Sequence, residues 1–265
     1  THTWLSEIAL GQLEELPAKT RASMQSAAPP PQQAEQTLPQ STRVAEEASP
    51  APGASPSADP AKQLAALRDE AENCPRCRGL GSLRDIMVFA VGNPRADLMF
   101  IGEAPGAEEE KLREPFVGPA GKLLTKIIQT MGLRREDVYI SNIVKYRPST
   151  GSPHQGTANR APTPEEMEAS VDYVLREIQI VSPKVIVALG GTEMTGLLGL
   201  DGSVGRARGQ VHEIKGRNAL VTYHPSYLLR SGAISEKRKV WEDMLMAMEL
   251  LDMPISEKQR NFFKQ

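Results

Sequence analysis

Three segments of this chain carry side chains that can do chemistry directly after a predicted strand. The first, residues 102–118, holds an acidic run at 108–110 together with Phe116. The second follows Ser141 and Asn142 at the end of a predicted strand, and the third is His224-Pro225-Ser226. Because the carboxyl ends of parallel strands meet at one edge of a sheet, we expect a carboxylate, an aromatic ring, a carboxamide and an imidazole to converge there.

Each of these residues also has a simpler structural interpretation. An acidic run such as 108–110 is ordinarily a solvated surface, and Phe116 would ordinarily belong to the core. Asn142 can cap a turn, and His224 before Pro225 can be a loop histidine with internal partners. The prediction of a site therefore depends on the four groups meeting at one edge, and not on any one of them.

Nearly unbroken apolar runs predict the strands that position these segments. Residues 97–101 and 184–189 are typical of strands buried on both faces. A helix is predicted from Pro119 to Gly132, with apolar residues at helical spacing. The alternation of strands and helices predicts an α/β fold with three layers, α/β/α, around a central, mostly parallel four-stranded sheet. Further strands are predicted at 137–142, 211–214 and 219–223, and further helices at 61–73, 163–178, 191–198 and 236–251.

Composition narrows the possible classes of protein. The chain has 265 residues, 40% of them hydrophobic, and a net charge of −2, which suits one sizeable core. It contains no apolar run long enough for a membrane span and does not start like a signal peptide. Two cysteines do not form a disulfide framework, so the sequence favours a reducing cytoplasm.

The chain is predicted to consist of a tail, a domain and a short extension. Residues 1–60 are rich in Pro, Ala, Ser and Gln and predict a flexible tail. Within it, residues 3–16 have one apolar helical face, which fits a short fraying or packed helix or a docking helix for a partner protein. Residues 61–252 form the predicted domain, and 253–265 a C-terminal extension.

A set of ordered motifs gives the domain a family resemblance. The motifs are GEAPG at 102–106, PFVGPAG at 115–121, SNIVKYRP at 141–148, NRAP at 159–162 and HPSYLLR at 224–230. They resemble the uracil-DNA glycosylase superfamily over residues 64–251, and most closely its family-four branch. The resemblance implies a monomeric DNA repair enzyme that binds uracil-containing DNA and hydrolyses the N-glycosidic bond of uracil, leaving an abasic site.

The resemblance also implies which residues are catalytic. Glu109 matches the acid that holds or activates the attacking water, and His224 matches the histidine beside uracil O2. Ala104 stands where other branches carry an acidic or polar residue, which moves the water-handling role to Glu109. A shift of one residue, to Glu108 or Glu110, stays open.

Binding residues follow in the same way. Phe116 matches the ring that stacks on the everted base, and Asn142 matches the carboxamide that pairs with uracil O4 and N3–H. Cytosine reverses that donor and acceptor pattern and would leave buried groups unpaired. Gly102, Glu103 and Ala104 would complete the substrate pocket. The residues expected to contact DNA are Pro225, Ser226, Tyr227, Leu228 and Arg230, the last of them at a phosphate.

The sequence departs from the family pattern at the iron–sulfur site. Family-four enzymes hold a cluster on four cysteines. Cys74 and Cys77 fit the first pair, but Tyr146 and Ser170 stand at the third and fourth positions, and neither is a thiolate. We therefore expect no metal cofactor and no intact cluster. A zinc site completed by other groups is the alternative.

A second function remains open at this stage. The insertion at 149–158, with His154, is reminiscent of the branch that traps uracil-DNA covalently, although the basic run expected before that histidine is absent. A non-catalytic or trapping uracil-DNA binder, recruited through its tail, is thus the alternative to an active glycosylase. The insertion can equally be a surface loop.

Overall fold

The computed structural model of the protein describes residues 59–152 and 154–263. Most of the predicted tail, including the helix at 3–16, lies outside the described residues. The helices are α1 (Pro60–Glu72), α2 (Pro75–Gly79), α3 (Ala107–Leu112), α4 (Pro119–Thr130), α5 (Pro164–Val181), α6 (Gly191–Leu198), α7 (Val204–Ala207), α8 (Pro225–Ser231), α9 (Ile234–Leu250) and α10 (Glu257–Arg260). The strands are β1 (Leu83–Met87), β2 (Val91–Gly92), β3 (Leu98–Gly102), β4 (Tyr139–Asn142), β5 (Tyr146–Pro148), β6 (Val185–Leu189), β7 (Val211–Ile214) and β8 (Arg217–Thr222).

The central sheet has six strands in the order β2-β4-β3-β6-β8-β7. Its four inner strands run parallel, whereas β2 and β7 pair antiparallel at the two edges. The predicted α/β fold with a mostly parallel sheet is therefore confirmed, and the structure adds antiparallel edges to the four parallel strands. Strands β1 and β5 form a separate two-stranded sheet.

Helices cover both faces of the central sheet because its strands are buried on both sides. Met99 of β3 shares a core with Val174 and Ile178 of α5 on one face. On the opposite face, the Thr222 hydroxyl of β8 donates a hydrogen bond to Asp243 of α9 at 2.6 Å. All five residues of β3 are buried. The sheet thus forms the middle of three layers, and the carboxyl ends of its parallel strands are the edge to which the site belongs.

Two segments that the sequence suggested as loops are helical. The connection after β3 contains α3, whose first turn carries the acidic run, a favourable position near the positive end of the helix dipole. The segment after β8 is α8, with His224 as its N-cap and Pro225 in its first turn. These helices fix the direction of the side chains that surround the site.

Gln259 and Phe262 of the C-terminal extension contact the body of the domain. The indole N–H of Trp241 in α9 donates to the carbonyl of Gln259 at 2.7 Å, and its ring packs edge-on against Phe262. Among the described residues, no helix has the length and apolar character that crossing a membrane requires.

Candidate active site

The loop between β3 and α4 is closed on itself by Glu109. One carboxylate oxygen accepts the backbone N–H groups of Val117 and Gly118 at 3.0 and 2.8 Å, and the other accepts that of Gly106 at 3.2 Å. These bonds join the beginning of α3 to the beginning of α4. Glu109 therefore determines the backbone path that presents Phe116.

Phe116 is held between two glycines. Its ring lies so close to Gly102 that a methyl group there would come within 2.7 Å of Cε2, and its backbone approaches Gly121 so closely that a methyl group there would come within 2.6 Å of Cα. The residue adopts a left-handed backbone with φ of 55°, which is uncommon for a bulky side chain. Only glycine fits at these two positions, and the pair fixes one wall of a pocket.

Asn142 stands beside that wall. It ends β4 and lies opposite Gly102 in the parallel register. A methyl group on Gly102 would lie 2.6 Å from the Asn142 Oδ1 atom, so the carboxamide touches the same glycine as the ring of Phe116. The residue is buried, and the hydrogen bond that it accepts from Lys145 uses its backbone carbonyl oxygen, which leaves the carboxamide out of that bond. A buried carboxamide calls for a hydrogen-bond partner, which a ligand can supply.

His224 faces the ring of Phe116, with the two ring centroids 5.7 Å apart. Its Nδ1 accepts the backbone N–H of Ser226 at 3.1 Å and lies 2.7 Å from the Ser226 hydroxyl. Burial, assisted by the nearby positive charge of Arg230, lowers the pKa of His224 from its ordinary 6.5 to about 4. The ring is therefore neutral at pH 7. Because Nδ1 is an acceptor, the proton lies on Nε2, which is left as a donor.

Glu103 follows Gly102 in the chain, and its carboxylate uses only part of its hydrogen-bonding capacity. Its Oε1 is buried and has no hydrogen-bond partner among the described residues. Burial raises the pKa of Glu103, while a hydrogen bond from Thr192 and the charge of Arg230 oppose that shift. The neighbouring Ala104 packs against the core. Glu103 is thus an acid with free acceptor capacity at the edge of the sheet.

The other two acids of the run at 108–110 have different environments. Glu108 is exposed. Glu110 is buried and forms ion pairs with Arg84 at 2.5 Å and with Arg147 at 3.0 Å. Glu110 is therefore already neutralised by two cations, and Glu109 is the member of the run that contacts the pocket loop.

The residues expected to contact DNA divide into two groups. Pro225 and Leu228 are buried in α8. Tyr227 and Arg230 are exposed, and the Tyr227 ring packs on Tyr223 with centroids 5.0 Å apart. Ser226 contacts His224 instead of pointing outward. The helix thus turns only some of the predicted DNA-binding side chains toward the surface.

The structure places Phe116 against Gly102 and His224, and Asn142 against the same Gly102, with Glu103 and Glu109 in the connection between β3 and α4. The sequence-based selection missed Gly121, although it lies within the PFVGPAG motif at 115–121. It also missed Glu193, a fully buried acid in α6 whose Oε1 has no partner within the described residues. The only sequence signal for Glu193 is that it is the one charged residue of the short helix Gly191–Leu198.

The two cysteines lie at a separate place, between α2 and α5. Cys74 caps α2 and its sulfur accepts the backbone N–H of Cys77 at 3.4 Å. Burial raises the pKa of Cys77 to about 12. The Tyr146 hydroxyl bonds the carbonyl oxygen of Ala71 at 2.9 Å, and the Ser170 hydroxyl oxygen accepts a backbone N–H at 3.1 Å.

Comparison with known proteins identifies the family. A sequence model of the Uracil DNA glycosylase superfamily matches residues 89–245. The type-4 uracil-DNA glycosylase of Thermotoga maritima is 40% identical over 187 residues, which are 70% of this chain and 93% of the relative. Those of Archaeoglobus fulgidus and Pyrobaculum aerophilum are 39% and 36% identical, over 63% and 64% of this chain and 84% and 87% of theirs. The chain belongs to the uracil-DNA glycosylase superfamily, and these relatives support its type-4 branch.

The expectation that the protein forms no iron–sulfur cluster is contradicted by these relatives. Type-4 enzymes are the iron–sulfur branch, so membership points to a cluster in this chain as well. The error lay in reasoning from ligand types alone. Cys74 and Cys77 fit the first pair of ligands, whereas Tyr146 and Ser170 offer oxygen at the other two positions and do not match a set of four thiolates. In residues 59–152 and 154–263, no three His, Cys, Asp or Glu side chains converge as a metal site.

Proposed function

We propose that this protein is a monofunctional uracil-DNA glycosylase, which hydrolyses the N-glycosidic bond of uracil in DNA and leaves an abasic site. The observation that carries the proposal is the contact of Phe116 and the Asn142 carboxamide with one glycine, Gly102. A ring wall beside an edge-reading amide is what an everted pyrimidine requires. Membership of the family supports the same reaction.

Asn142 reads the base in this proposal. Its amide donates to uracil O4 and its carbonyl accepts from N3–H, while Phe116 stacks on the ring. Cytosine presents a donor where uracil presents O4, and an unprotonated acceptor where uracil presents N3–H. A buried amide that loses both partners rejects that base strongly.

His224 stabilises the leaving group. Breaking the glycosidic bond moves negative charge onto the uracil ring and leaves oxocarbenium-like charge on the sugar. A neutral imidazole with its proton on Nε2 donates to uracil O2, and this bond strengthens as the charge develops. Removal of such a donor typically costs about 2.7–4 kcal/mol of transition-state stabilisation.

Glu109 holds the attacking water in the proposal, and its negative charge also suits the cationic sugar. Its Oε2 accepts a single backbone N–H, which leaves acceptor capacity for a water molecule. Glu103 is the competing candidate, because its Oε1 has no described partner. Glu109→Gln and Glu103→Gln, compared in single-turnover reactions, separate the two: the acid that handles water shows the larger loss of rate at an unchanged melting temperature.

Contacts with DNA are proposed for the exposed face of α8. Arg230 binds a phosphate and Tyr227 meets the duplex, while Pro225, Ser226 and Leu228 hold the helix that carries them. We further propose a monomeric protein that acts in the cytoplasm, a domain at 61–252 followed by the extension 253–265, and a tail at 1–60 that is free to recruit a partner protein.

Multiple-turnover release of free uracil from a single-stranded oligonucleotide tests the proposed function. The wild-type protein should release many equivalents of uracil, and Asn142→Ala should lose most of the rate. Asn218→Ala, at an exposed asparagine of β8, is the matched control and should retain it. Stoichiometric retention of DNA without release would instead favour a trapping or non-catalytic binder.

A further inference from the structure

A fully buried ion pair lies directly behind Asn142. The Lys145 ammonium is 2.8 and 2.9 Å from the two carboxylate oxygens of Glu177 in α5. Neither side chain has any exposed surface. The same ammonium donates to the Ser141 hydroxyl oxygen at 2.6 Å and to the backbone carbonyl oxygen of Asn142 at 3.0 Å. All the donor capacity of Lys145 is therefore used within this group.

Stability alone does not account for such a pair. Burial lowers the pKa of Lys145, and the attraction of Glu177 opposes that shift. Replacing a buried ion pair with well-packed apolar residues is often neutral or stabilising, because the cost of desolvating two charges disappears. What an apolar replacement cannot supply is the hydrogen bond to the carbonyl of Asn142.

That bond completes the fixation of the main chain around Asn142. On the side of β3, the N–H of Ile143 donates to the carbonyl of Gly102 at 2.8 Å. Beyond it, the N–H of Lys145 donates to the Ser170 hydroxyl at 3.1 Å. The turn from 142 to 145 is thus held at both ends, and the ammonium of Lys145 ties it to α5 through Glu177. By contrast, the Asn142 carboxamide takes no part in these bonds, so its position follows from the main chain.

We infer that Lys145 is a positioning residue for base recognition, which holds the Asn142 main chain so that its carboxamide meets the edge of the everted base. Glu177 orients the Lys145 ammonium for this task. The inference rests on the proposed function, in which Asn142 reads uracil. Recognition groups must be held within about 0.5 Å of their productive position, and a misplacement of about 1 Å can cost about 100-fold in rate.

The test uses the paired variant Lys145→Met/Glu177→Leu. Lys145→Met alone would leave a buried, unpaired carboxylate and risk unfolding, whereas the paired variant removes both charges. We expect a melting temperature close to that of the wild type and a kcat/KM for uracil release that falls by roughly 10- to 100-fold. If the pair served only the packing of α5 on the sheet, the apolar replacement would keep kcat/KM.

A double-mutant cycle with Asn142→Ala shows whether the loss acts through Asn142. In that background the paired variant should cause little further loss, because the group it positions is gone. Arg208→Met/Asp243→Leu is the matched control, since Arg208 and the buried Asp243 form an ion pair at 2.9 Å between the end of α7 and α9. Any loss of kcat/KM that this control causes should be the same fold-change with and without Asn142→Ala.

Three outcomes would overturn the inference. The first is wild-type kcat/KM in the folded paired variant, and the second is an equal loss in both backgrounds. The third is wild-type turnover by Asn142→Ala, which would refute the proposed reading role itself and so is distinguishable from the other two. If the Lys145→Met/Glu177→Leu variant does not fold, a second apolar pair, Lys145→Leu/Glu177→Met, carries the same cycle.

Discussion

The pocket and the arginine network beside it use polar side chains in opposite ways. The network comprises Arg147, Arg160, Glu110, Asn159 and Glu166, and it anchors the chain on either side of the 149–158 insertion. Arg147 bonds Asn159 at 2.9 Å, Glu110 at 3.0 Å and the carbonyl of Ala158 at 2.8 Å. Arg160 bonds both carboxylate oxygens of Glu166 at 2.8 and 2.6 Å.

In the pocket, by contrast, buried polar atoms lack such partners. One carboxylate oxygen each of Glu103 and Glu193 is buried without a hydrogen bond within the described residues. The bond that Asn142 accepts from Lys145 uses its backbone carbonyl and not its carboxamide. Buried polar groups are normally paired, because leaving one unpaired costs free energy. The difference teaches that charge and burial do not mark a functional group by themselves. Buried polar groups with unused hydrogen-bonding capacity mark it better when they lie at the carboxyl ends of the strands, since Arg135 Nη1 and the Tyr139 hydroxyl are also buried and unpartnered among the described residues but lie before or at the start of β4.

The sharpest test of this contrast is Arg147→Met in the network. It leaves Glu110 buried beside Arg84 alone, and we expect a loss of about 3–5 kcal/mol in the free energy of unfolding. The kcat of the folded protein should stay near that of the wild type. Urea denaturation and an activity assay on the same samples measure both. Arg76→Met is the control, because its pair with Glu168 is exposed and should be worth at most about 1 kcal/mol.

His224→Ala in the pocket should show the reverse pattern. We expect the activation free energy of the reaction to rise by about 2.7–4 kcal/mol, which lowers kcat. Loss of the N-cap of α8 should lower the free energy of unfolding by a smaller amount. Single-turnover rates and thermal melts measure the two effects. Ser226→Ala keeps the backbone N–H that binds Nδ1 and should retain most of the rate. A large fall in stability with kcat unchanged would mean that His224 has a structural role, like the residues of the arginine network.

Glu193→Gln should stabilise the protein in a pH-dependent way. Burial, reinforced by the charge of Glu103, raises the pKa of Glu193 well above the ordinary 4.5. Above pH 4.5 the unfolded chain loses this proton while the folded chain keeps it, so wild-type stability falls as pH rises toward the folded pKa. The variant lacks this loss and should gain roughly 1–3 kcal/mol at pH 8.

The Glu193→Gln gain should disappear below pH 4, where both states of the wild type are protonated. Urea denaturation at pH 4 and pH 8 measures it. Glu213→Gln, at an exposed position of β7, is the control and should change stability little at either pH. An equal gain at both pH values would mean that Glu193 ionises in the same way in the folded and unfolded chains.

The smallest expected effect concerns the pH dependence of catalysis. Since the pKa of His224 is lowered to about 4, the ring is neutral throughout pH 5 to 8 and should cause no acidic decline in kcat there. A profile of kcat against pH, with an imidazole titration by NMR, checks this. Arg230→Gln should raise the pKa of His224, because the arginine charge favours the neutral ring. A decline centred near pH 6.5 would contradict the assignment.

Most of the fold was predictable because apolar runs define the inner strands without ambiguity. The apolar run at 184–189 predicts the strand β6, and the capping pattern at Thr163 predicts the start of α5. The edge strand β2 was not predictable, because two residues carry no periodicity. Helix α3 was missed because its N-cap is a glycine and its first turn an acidic run, which together suggest a loop.

The sequence predicted which residues to expect at the site, but it did not predict their environments. Motif order singled out Phe116, Asn142 and His224 without the structure. The partners of Glu109, however, are backbone N–H groups eight and nine residues away, and no sequence pattern encodes them. Likewise, the burial of Leu228 depends on the phase of α8, which a loop assignment does not contain.

The two glycines that enclose Phe116 determine which side of the pocket can accommodate variation. Gly102 belongs to the central sheet and Gly121 to the first turn of α4, so the ring can yield toward neither without moving a whole element. Room for a bulkier or differently shaped base must come from the opposite side, where His224 begins a seven-residue helix. A broader lesion range would accordingly evolve, or be engineered, through α8 and its flanks.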